Sequence, residues 1–524
     1  MAIGAHKRAK PDWRNLRNAR RDLIINVAHG HLPTISERAW EAVLETNDPP
    51  TLFRRGSSIC RIIQQDDGPP TIEDSCQASL RGELARRARW VEITKSEDDV
   101  RFVDKFPPLA VMQDMLVEPR RPLPVLQRIV EAPVFGSEGT LQTSPGYHEG
   151  SQNVYYANEL ELKAVSKKPS LYEIEEAKKW ILEELFGEFP FASKSDQLHA
   201  VAAMMGPFVR EMIKGPTSLH LVVAPSPGTG KSLLADALTI PATDRTASTL
   251  TEGGPEEEWR KKITAILMTA PPFVLIDNVR QKIDSPSLAA ALTSMRWEDR
   301  LLGRSEIISL PVQTTWLATG NNPSLTTEMA RRTMRIRLDA KVARPWQGQE
   351  FRHPNLRKWA VEHQNELVWS ILTLIQAWVV AGKPAGDYDL GQYESWAAVM
   401  GGTFDVIKLA GFLHNLDGLY EVADEETAQW EGFVSEWWAS FSNRPVGISQ
   451  LFDIADDNDH LITVRGFGNP QSQKTKLGRA VSQMHERHLG GYIVKKVPHN
   501  GRGGTALYRL RQAKNEPKAE QEKT

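Results

Sequence analysis

The fold is decided at residues 225–232, which read Pro-Ser-Pro-Gly-Thr-Gly-Lys-Ser. A triphosphate is densely negative, so its binding site needs hydrogen-bond donors without steric bulk. Gly228 and Gly230 allow the backbone to turn so that successive N–H groups point inward at a β-phosphate. Lys231 is then placed to reach the β- and γ-phosphate oxygens, and Ser232 offers a hydroxyl to Mg²⁺. The stretch predicts a phosphate-binding loop with ATP and Mg²⁺ as its ligands.

The neighbouring sequence supports this interpretation of the loop. Leu219–Ala224 is an apolar strand that runs into it, and Ser232–Leu238 is the helix that follows, which adds the positive end of its dipole. The usual pattern is GxxxxGK followed by Ser or Thr, and here Pro225 occupies the first glycine position. The expected nucleotide-binding residues are Pro225, Ser226, Pro227, Gly228, Thr229, Gly230, Lys231, Ser232 and Leu233.

A second buried strand ends in a carboxylate. Phe273–Asn278 has the form of a Walker B motif, in which Asp277 coordinates Mg²⁺ together with Ser232. A simple strand-end cap is the alternative for Asp277. Most proteins with this motif carry a second acid at the next position, where this chain has Asn278, and an amide cannot accept a proton from water. Either hydrolysis is slow, or another acid accepts the proton from water. Glu256–Glu258 are candidates for that acid, and an exposed acidic helix start is the alternative for them.

A third apolar strand, Thr315–Ala318, is followed by Asn321. An Asn just past a central strand lies beside the phosphate loop, where its amide can bond the γ-phosphate or the attacking water. Downstream, Arg331 and Arg332 precede the strand-like Met334–Leu338. Two arginines in this place either neutralise the γ-phosphate of a neighbouring subunit, as arginine fingers do, or are exposed side chains at a strand edge.

Taken in this order, the four features resemble the AAA+ ATPases. A narrower resemblance links Leu301–Arg304, Trp316–Pro323 and Ala330–Arg332 to helicase-like replication proteins of phages, plasmids and integrated mobile elements, and it covers about 190–342. The tract Glu394–Asn415 is also similar to those proteins, with less specific motifs.

The resemblance implies a role for each matching residue. Sensor 1 falls on Asn321 or Asn322, and the arginine finger on Arg331 or Arg332. The implied catalytic set is Lys231, Asp277, Asn278, Asn321, Arg331 and Arg332. Because a finger acts on a neighbouring chain, the resemblance implies a homo-oligomeric ring, most often a hexamer.

A DNA-contacting hairpin is a further implication of the resemblance. In the helicase-like proteins the region that corresponds to Arg296–Ile308 forms a hairpin that points into the central channel of the ring. Arg300 and Arg304 are then candidate DNA contacts, and surface ion pairs with Glu298 or Glu306 are the alternative.

The C-terminal segment is locally basic. Between residues 471 and 511 nine Lys or Arg stand against one acid. A helix at Gln473–Leu489 and a hairpin over 491–511 have the winged-helix arrangement, whose helix can enter a major groove while a wing residue touches phosphate. The candidate DNA contacts here are Lys474, Lys476, Arg479 and Arg502. The alternative is a basic module that docks another protein.

Composition narrows the class of protein. The 524 residues carry a formal net charge of −2, so any nucleic-acid surface must be local. Two cysteines without a CxxC exclude a four-ligand zinc ribbon. No apolar run reaches the roughly 18 residues that span a bilayer, and a cytoplasmic location without membrane contact is expected. A basic N-terminal stretch precedes a helical pattern through Ile24–Val27.

The expected fold class is multidomain α/β, with a P-loop AAA+ parallel-sheet core. The predicted domains are 1–135, a mixed α+β accessory domain that meets a replication partner; 136–189, a connector and amphipathic helix; 190–345, the ATPase core; 346–442, a helical domain; 443–511, the winged-helix-like domain; and 512–524, a disordered tail. Two functions remain open. One is an ATP-dependent motor on single-stranded or forked DNA, that is, a ring-forming replicative helicase or helicase-like motor of a mobile element. The other is a nucleotide-switched DNA-binding or assembly protein with slow turnover and no strand separation.

Overall fold

The structure is a computed structural model, and it describes residues 23–512 with gaps. The gaps are 29, 65–67, 96–99, 156–159, 226–227, 252–253, 280–282, 301–306, 322, 324, 342–350, 459, 467, 490 and 498–505. The chain divides into two compact units. One comprises Met1–Ser324 and Arg332–His414, and the other Leu325–Arg331 and Asn415–Thr524. Within the described residues, no helix is both long and apolar enough to cross a membrane.

Small sheets and three helices form the N-terminal part of the first unit. They are β1 (Ile24–Asn26), α1 (Leu32–Thr46), β2 (Leu52–Arg55), β3 (Ser58–Ile63), β4 (Thr71–Asp74), α2 (Gln77–Arg87), β5 (Arg89–Lys95), β6 (Val100–Asp104), α3 (Leu109–Val117), β7 (Arg128–Val130), β8 (Val134–Phe135), β9 (Leu141–Gln142), β10 (Gly146–His148) and β11 (Asn153–Tyr155). The described sheets have the orders β1-β5-β6, β2-β3-β4, β10-β11-β7 and β8-β9. The elements up to β8 are the mixed α and β structure that the sequence indicates for 1–135, whereas β9, β10 and β11 lie in the segment expected to be a connector.

The helical pattern expected through Ile24–Val27 is wrong. Ile24–Asn26 is a strand that pairs in parallel with β5, where Ile25 lies opposite Trp90. Ile25 is 2 % exposed and packs in the core below this sheet. Two adjacent β-branched residues suit a pleated strand, and a run this short has too few residues for helical and strand periodicity to be told apart.

A longer alternation of helices and strands follows in the chain. It comprises α4 (Leu171–Lys179), a π-helix (Trp180–Leu185), α5 (Lys194–Val209), a 3₁₀ turn (Arg210–Met212), β12 (Leu219–Val223), α6 (Lys231–Thr243), β13 (Ser248–Thr251), α7 (Glu256–Thr269), β14 (Phe273–Val279), α8 (Pro286–Thr293), β15 (Arg296–Arg300), β16 (Ile307–Pro311), β17 (Thr315–Gly320), α9 (Thr327–Ala330) and β18 (Thr333–Arg337). The amphipathic helix predicted within 136–189 is thus an α-helix that continues as a π-helix.

Five of these strands form one parallel sheet with the order β13-β14-β17-β12-β18. Every residue of β12 and of β17 is buried. Such uninterrupted burial is expected of central parallel strands covered by helices on both faces. The sheet confirms the α/β class, and it brings the carboxyl ends of β12, β17 and β14 to one edge.

Among the described residues, the first unit is completed by α10 (Leu356–Glu362), α11 (Gln364–Val380) and α12 (Glu394–Val406). Trp369, Trp378 and Trp396 are at most 3 % exposed. These tryptophans are therefore core residues of the helical part.

The second unit contains α9 and the C-terminal elements. These are α13 (Asp417–Phe441), β19 (Val446–Gly447), α14 (Ile448–Asp457), α15 (Ile462–Arg465), α16 (Pro470–Gln483), β20 (His488–Leu489), β21 (Tyr492–Val497) and β22 (Leu507–Gln512). The strands form an antiparallel sheet with the order β19-β22-β21-β20. Phe433, Trp437, Leu451, Leu477 and Leu510 are completely buried in its core.

Candidate nucleotide site

The candidate site lies where three parallel strands end. Residue Val223 of β12 is opposite Gly320 of β17, and Ala318 of β17 is opposite Ile276 of β14. Because the strands run in the same direction, the loops that follow them meet at one edge of the sheet, where open α/β sheets bind their ligands.

The phosphate-binding loop has the backbone that its glycines predict. Gly228 has a φ of 73° and Gly230 a φ of 94°, values that glycine adopts without steric cost. Gly230 is the N-cap residue of α6 and provides no side chain to bond the N–H groups of the first turn. These N–H groups and the helix dipole therefore suit an anion.

The other loop residues have distinct environments. Thr229 is buried, Leu233 is half-buried, and Pro225 and Ser232 are exposed. Ser226 and Pro227, two of the expected nucleotide-binding residues, lie outside the described residues. The described part of the loop fits a triphosphate, since it combines left-handed glycines, an uncapped helix N-terminus and a lysine.

The structure brings Lys231 and Asn321 together. Lys231 Nζ donates a hydrogen bond to Asn321 Oδ1 at 2.7 Å, although the two residues are 90 positions apart. Burial lowers the pKa of the Lys231 ammonium, and the charge of Asp277 opposes that shift. A partly desolvated ammonium with one amide ligand is ready to exchange that ligand for phosphate oxygens. Asn322, the alternative to Asn321, lies outside the described residues.

Asp277 is held by a residue that the sequence did not single out. Thr319 Oγ1 donates to Asp277 Oδ1 at 2.5 Å and accepts the Asn278 N–H at 2.8 Å. Asp277 is half-buried and Asn278 is exposed with a φ of 56°. Asn is one of the few residues apart from glycine that adopt this left-handed region readily, which accounts for an amide at position 278 on backbone grounds.

Helix α6 contains a buried acid that the sequence also did not single out. Asp236, one turn beyond Lys231, is 7 % exposed, and Arg357 Nε of α10 donates to its Oδ2 at 2.6 Å. Burial raises the pKa of the Asp236 carboxyl; the hydrogen bond and charge of Arg357 oppose the shift, and the charge of Asp277 adds to it. In the sequence, the single acid within the apolar run 233–238 could have indicated this pair, because an acid is rarely buried without a partner.

An aromatic side chain adjoins the phosphate loop. A Cβ placed on Gly230 would lie 3.5 Å from Phe189 Cε1. Phe189 is half-buried and contacts the rings of Phe186 and Phe191. The three phenylalanines within six residues were the signal in the sequence. The Phe189 ring therefore places apolar surface beside Gly230.

The three acids proposed as substitutes for a second Walker B acid have other contacts. Glu256 accepts the Ser287 N–H at 2.6 Å, while Glu257 and Glu258 each lie 3.1 Å from Lys261 Nζ. All three occupy the first turn of α7 and are exposed. This is the arrangement of the helix-start alternative, because acids in a first turn complement the helix dipole.

The two candidate arginine fingers fall in different compact units. Arg331 is exposed and follows α9 in the second unit. Arg332 is half-buried, and its carbonyl accepts the Leu219 N–H at 2.9 Å beside the start of β12. This backbone contact fixes the position of Arg332 immediately before β18.

The predicted hairpin is present as the antiparallel pair β15–β16. Its first strand is held against α7, because Thr264 Oγ1 donates to Asp299 at 2.6 Å and accepts from Trp297 Nε1 at 2.8 Å. Arg300 is the last residue of β15 and is exposed. Arg304 and Glu306 lie outside the described residues.

The candidate DNA contacts of the second unit separate into two kinds. Lys476 and Arg479 are exposed, one turn apart on α16, whose Leu477 and Val481 face the core. Lys474 instead lies with its ammonium 5.0 Å from the centre of the Phe452 ring. Two arginines of β22, Arg509 and Arg511, are also exposed and basic, although the sequence did not single them out as DNA contacts. Arg502 lies outside the described residues.

Comparisons with known proteins give only distant structural likeness. The chain is similar to the C-terminal region of NrS-1 in its A-form apo structure, with 10 % identity, 90 % of this chain and 98 % of that chain covered, and a TM-score of 0.38. It is also similar to the SCCmec type IV Cch active helicase, with 10 % identity, 87 % and 90 % coverage, and a TM-score of 0.31. No protein-family model matches the chain, and no curated protein gives a significant match. Both TM-scores lie below 0.5, so the functional proposal rests on the geometry of the site.

Proposed function

We propose that the chain binds ATP with Mg²⁺ and hydrolyses it at the carboxyl ends of β12, β17 and β14. The observation that carries this proposal is the 2.7 Å hydrogen bond between Lys231 and Asn321, which unites a phosphate-loop lysine with a polar strand end. Asp277, on the strand at the other side of β17, lies near enough to act on the pKa of Lys231. Residues at or after the carboxyl ends of three different strands thus bring a cation, an amide and a carboxylate to one site.

Each residue has a part that its position supports. The α6 N-terminus and Lys231 bind the phosphates, and the Ser232 hydroxyl and the Asp277 carboxylate hold the metal. Asn321 orients the γ-phosphate or the attacking water once Lys231 has moved to phosphate. The bound metal neutralises charge that develops on the phosphates during transfer.

We further propose an AAA+ arrangement that works as a ring. The position of β17 between the strand of the phosphate loop and the strand of Asp277 supports it, because this order places Asn321 between their ends. In a ring, Arg331 or Arg332 of one copy would reach the γ-phosphate of the next. Chains with both arginines changed to alanine, when mixed with Asp277→Asn chains, should then regain part of the ATPase activity, and no regain would argue against a shared site.

We propose DNA as the partner of this protein. For a helicase-like motor, the partner would be single-stranded or forked DNA. Lys476, Arg479, Arg509 and Arg511 are exposed basic side chains in the second unit, and Arg300 leads into the β15–β16 tip. Exposed cations of this kind bind phosphate without base specificity. Mixed strands and helices in the N-terminal part are proposed to meet a partner protein of replication.

A second function has its own supporting observation. Asn278 stands where a second acid would accept a proton from water, and its exposed side chain extends from a left-handed backbone. A nucleotide-switched DNA-binding or assembly protein with slow turnover would need no such acid. This function therefore stays the alternative to a motor.

One experiment separates the two functions. ATP turnover is measured with and without single-stranded DNA, together with displacement of a labelled strand, for the native chain and for Lys231→Ala. A motor predicts DNA-stimulated turnover and displacement that Lys231→Ala abolishes. Stimulated or slow turnover without displacement would support the switch, and turnover that is equal in the two chains would contradict both.

A further inference from the structure

The strand of Asp277 carries an irregularity opposite Thr319. Along β14 and β17, Ile276 pairs with Ala318 and Val279 pairs with Gly320. Two residues, Asp277 and Asn278, therefore oppose the single residue Thr319, which is a β-bulge. A bulge interrupts the ladder of backbone hydrogen bonds and redirects the side chains at that point.

The Thr319 hydroxyl replaces the missing ladder contact. A backbone N–H can only donate, so the oxygen of Thr319 must accept from Asn278 N at 2.8 Å. The single proton of the hydroxyl is then directed to Asp277 Oδ1 at 2.5 Å. Both contacts are shielded from water, because Thr319 is 1 % exposed.

We infer that Thr319 is a positioning residue for the proposed metal site. It acts through Asp277: the hydroxyl fixes the rotation of the carboxylate and holds the bulge that aims it. The inference rests on the proposed function, in which Asp277 holds Mg²⁺. Thr319 lies in β17, and Asn321 is the residue that follows this strand. The carboxyl end of β17 would then orient both the metal-binding acid and the amide beside Lys231.

The inference predicts a defect in metal affinity with nucleotide affinity preserved. Thr319→Val keeps the shape of the side chain but removes the donor and the acceptor, whereas Thr319→Ser keeps both. Loss of a group that orients a metal ligand typically lowers metal affinity 10- to 100-fold. The half-saturating Mg²⁺ concentration for binding a fluorescent ATP analogue should therefore rise about tenfold in Thr319→Val. Thr319→Ser should stay within about threefold of the native value, and the affinity measured in EDTA should not change.

Two further measurements make the role specific. In an Asp277→Ala background, Thr319→Val should cause no additional change in Mg²⁺ dependence, because the residue through which it acts is absent. Hydrogen exchange in the unmodified chain should show the Asn278 amide protected despite the exposure of that residue. This second measurement applies even where a Thr319 variant fails to fold.

The outcomes are distinguishable from a failure of the proposed function. Equal Mg²⁺ dependence of native and Thr319→Val chains, or rapid exchange of the Asn278 amide, would overturn the inference about Thr319 alone. ATP-analogue binding in EDTA that is unaffected by Lys231→Ala would overturn the nucleotide site itself. A rise in half-saturating Mg²⁺ that Thr319→Ser does not rescue would also count against the hydroxyl.

Discussion

Lys231 Nζ and Asn321 Oδ1 are 2.7 Å apart, so the end of β17 is hydrogen-bonded to the first residue of α6. In the structure, the Asn321 amide oxygen thus accepts one N–H of the Lys231 ammonium. Phosphate oxygens are stronger acceptors than a neutral amide, because hydrogen bonds between ions are shorter and about twice as strong. Nucleotide binding would therefore free Asn321 to act on the γ-phosphate or on water.

Changing Asn321 to alanine should separate catalysis from binding. Loss of one preorganised polar group that acts on developing charge typically costs about 10²-fold in turnover. Binding should change by less than about tenfold, because the lost contact is a single hydrogen bond. Single-turnover hydrolysis and equilibrium binding of ATP check the two expectations. Asn321→Ala that binds ATP and hydrolyses it at the native rate would exclude this residue from catalysis.

Asn278 should tolerate glycine better than valine. Its φ of 56° costs a β-branched side chain about 1–2 kcal/mol, whereas glycine adopts it freely. Asn278→Gly should unfold at or above the native temperature, and Asn278→Val about 1–2 °C below it. Both variants keep the backbone N–H that Thr319 accepts, so the comparison isolates the backbone conformation. Equal melting temperatures for the two variants would show that position 278 does not hold a left-handed backbone in solution.

Stability should fall on mild acidification because of a buried histidine. Burial lowers the pKa of His220 to about 3, and the nearby charge of His199 adds to the shift. The His220 ring nitrogens have no hydrogen-bond partner among the described residues, and the ring lies 5.7 Å from that of Trp396. In the unfolded chain the His220 imidazole takes up a proton near pH 6.5, whereas in the folded chain it stays neutral at this pH. The free energy of unfolding is therefore highest above pH 6.5 and falls as the pH drops below it.

The predicted loss from this one group is about 2 kcal/mol between pH 7 and pH 5. His220→Leu should remove that part of the pH dependence in urea unfolding of the first unit. His31→Leu, which removes an imidazole at an exposed position, is the matched control variant. A native chain whose stability is constant over this range would contradict a neutral buried His220.

Salt dependence should reveal the charges that meet DNA. Each phosphate contact contributes about 0.9 to the slope of log K against log salt, so Lys476→Ala with Arg479→Ala should lower its magnitude by about 2. Lys495 is the matched control, because its ammonium lies 2.9 Å from Glu486. Anisotropy titrations of labelled DNA measure the slope. An unchanged slope in the double variant, or an equal loss in Lys495→Ala, would remove α16 from the DNA surface.

Local patterns predicted the central elements well. The strand before the phosphate loop, the helix after it and the apolar strands that end at Asp277 and near Asn321 are recognisable within about ten residues each. Strand order was not predictable in this way, and neither was the pairing of Asp236 with Arg357, 121 positions away. Thr319 was missed because its importance comes from a bulge between two strands, and nothing near it in the sequence marks that register.

Calorimetric titration of ATP and Mg²⁺ into the native and Lys231→Ala chains tests the central claim most directly. Each native chain should bind one ATP. Loss of the charge-assisted contacts of Lys231 should weaken ATP binding about 100-fold. Equal heats and affinities in the two chains would contradict a nucleotide site at the N-terminus of α6.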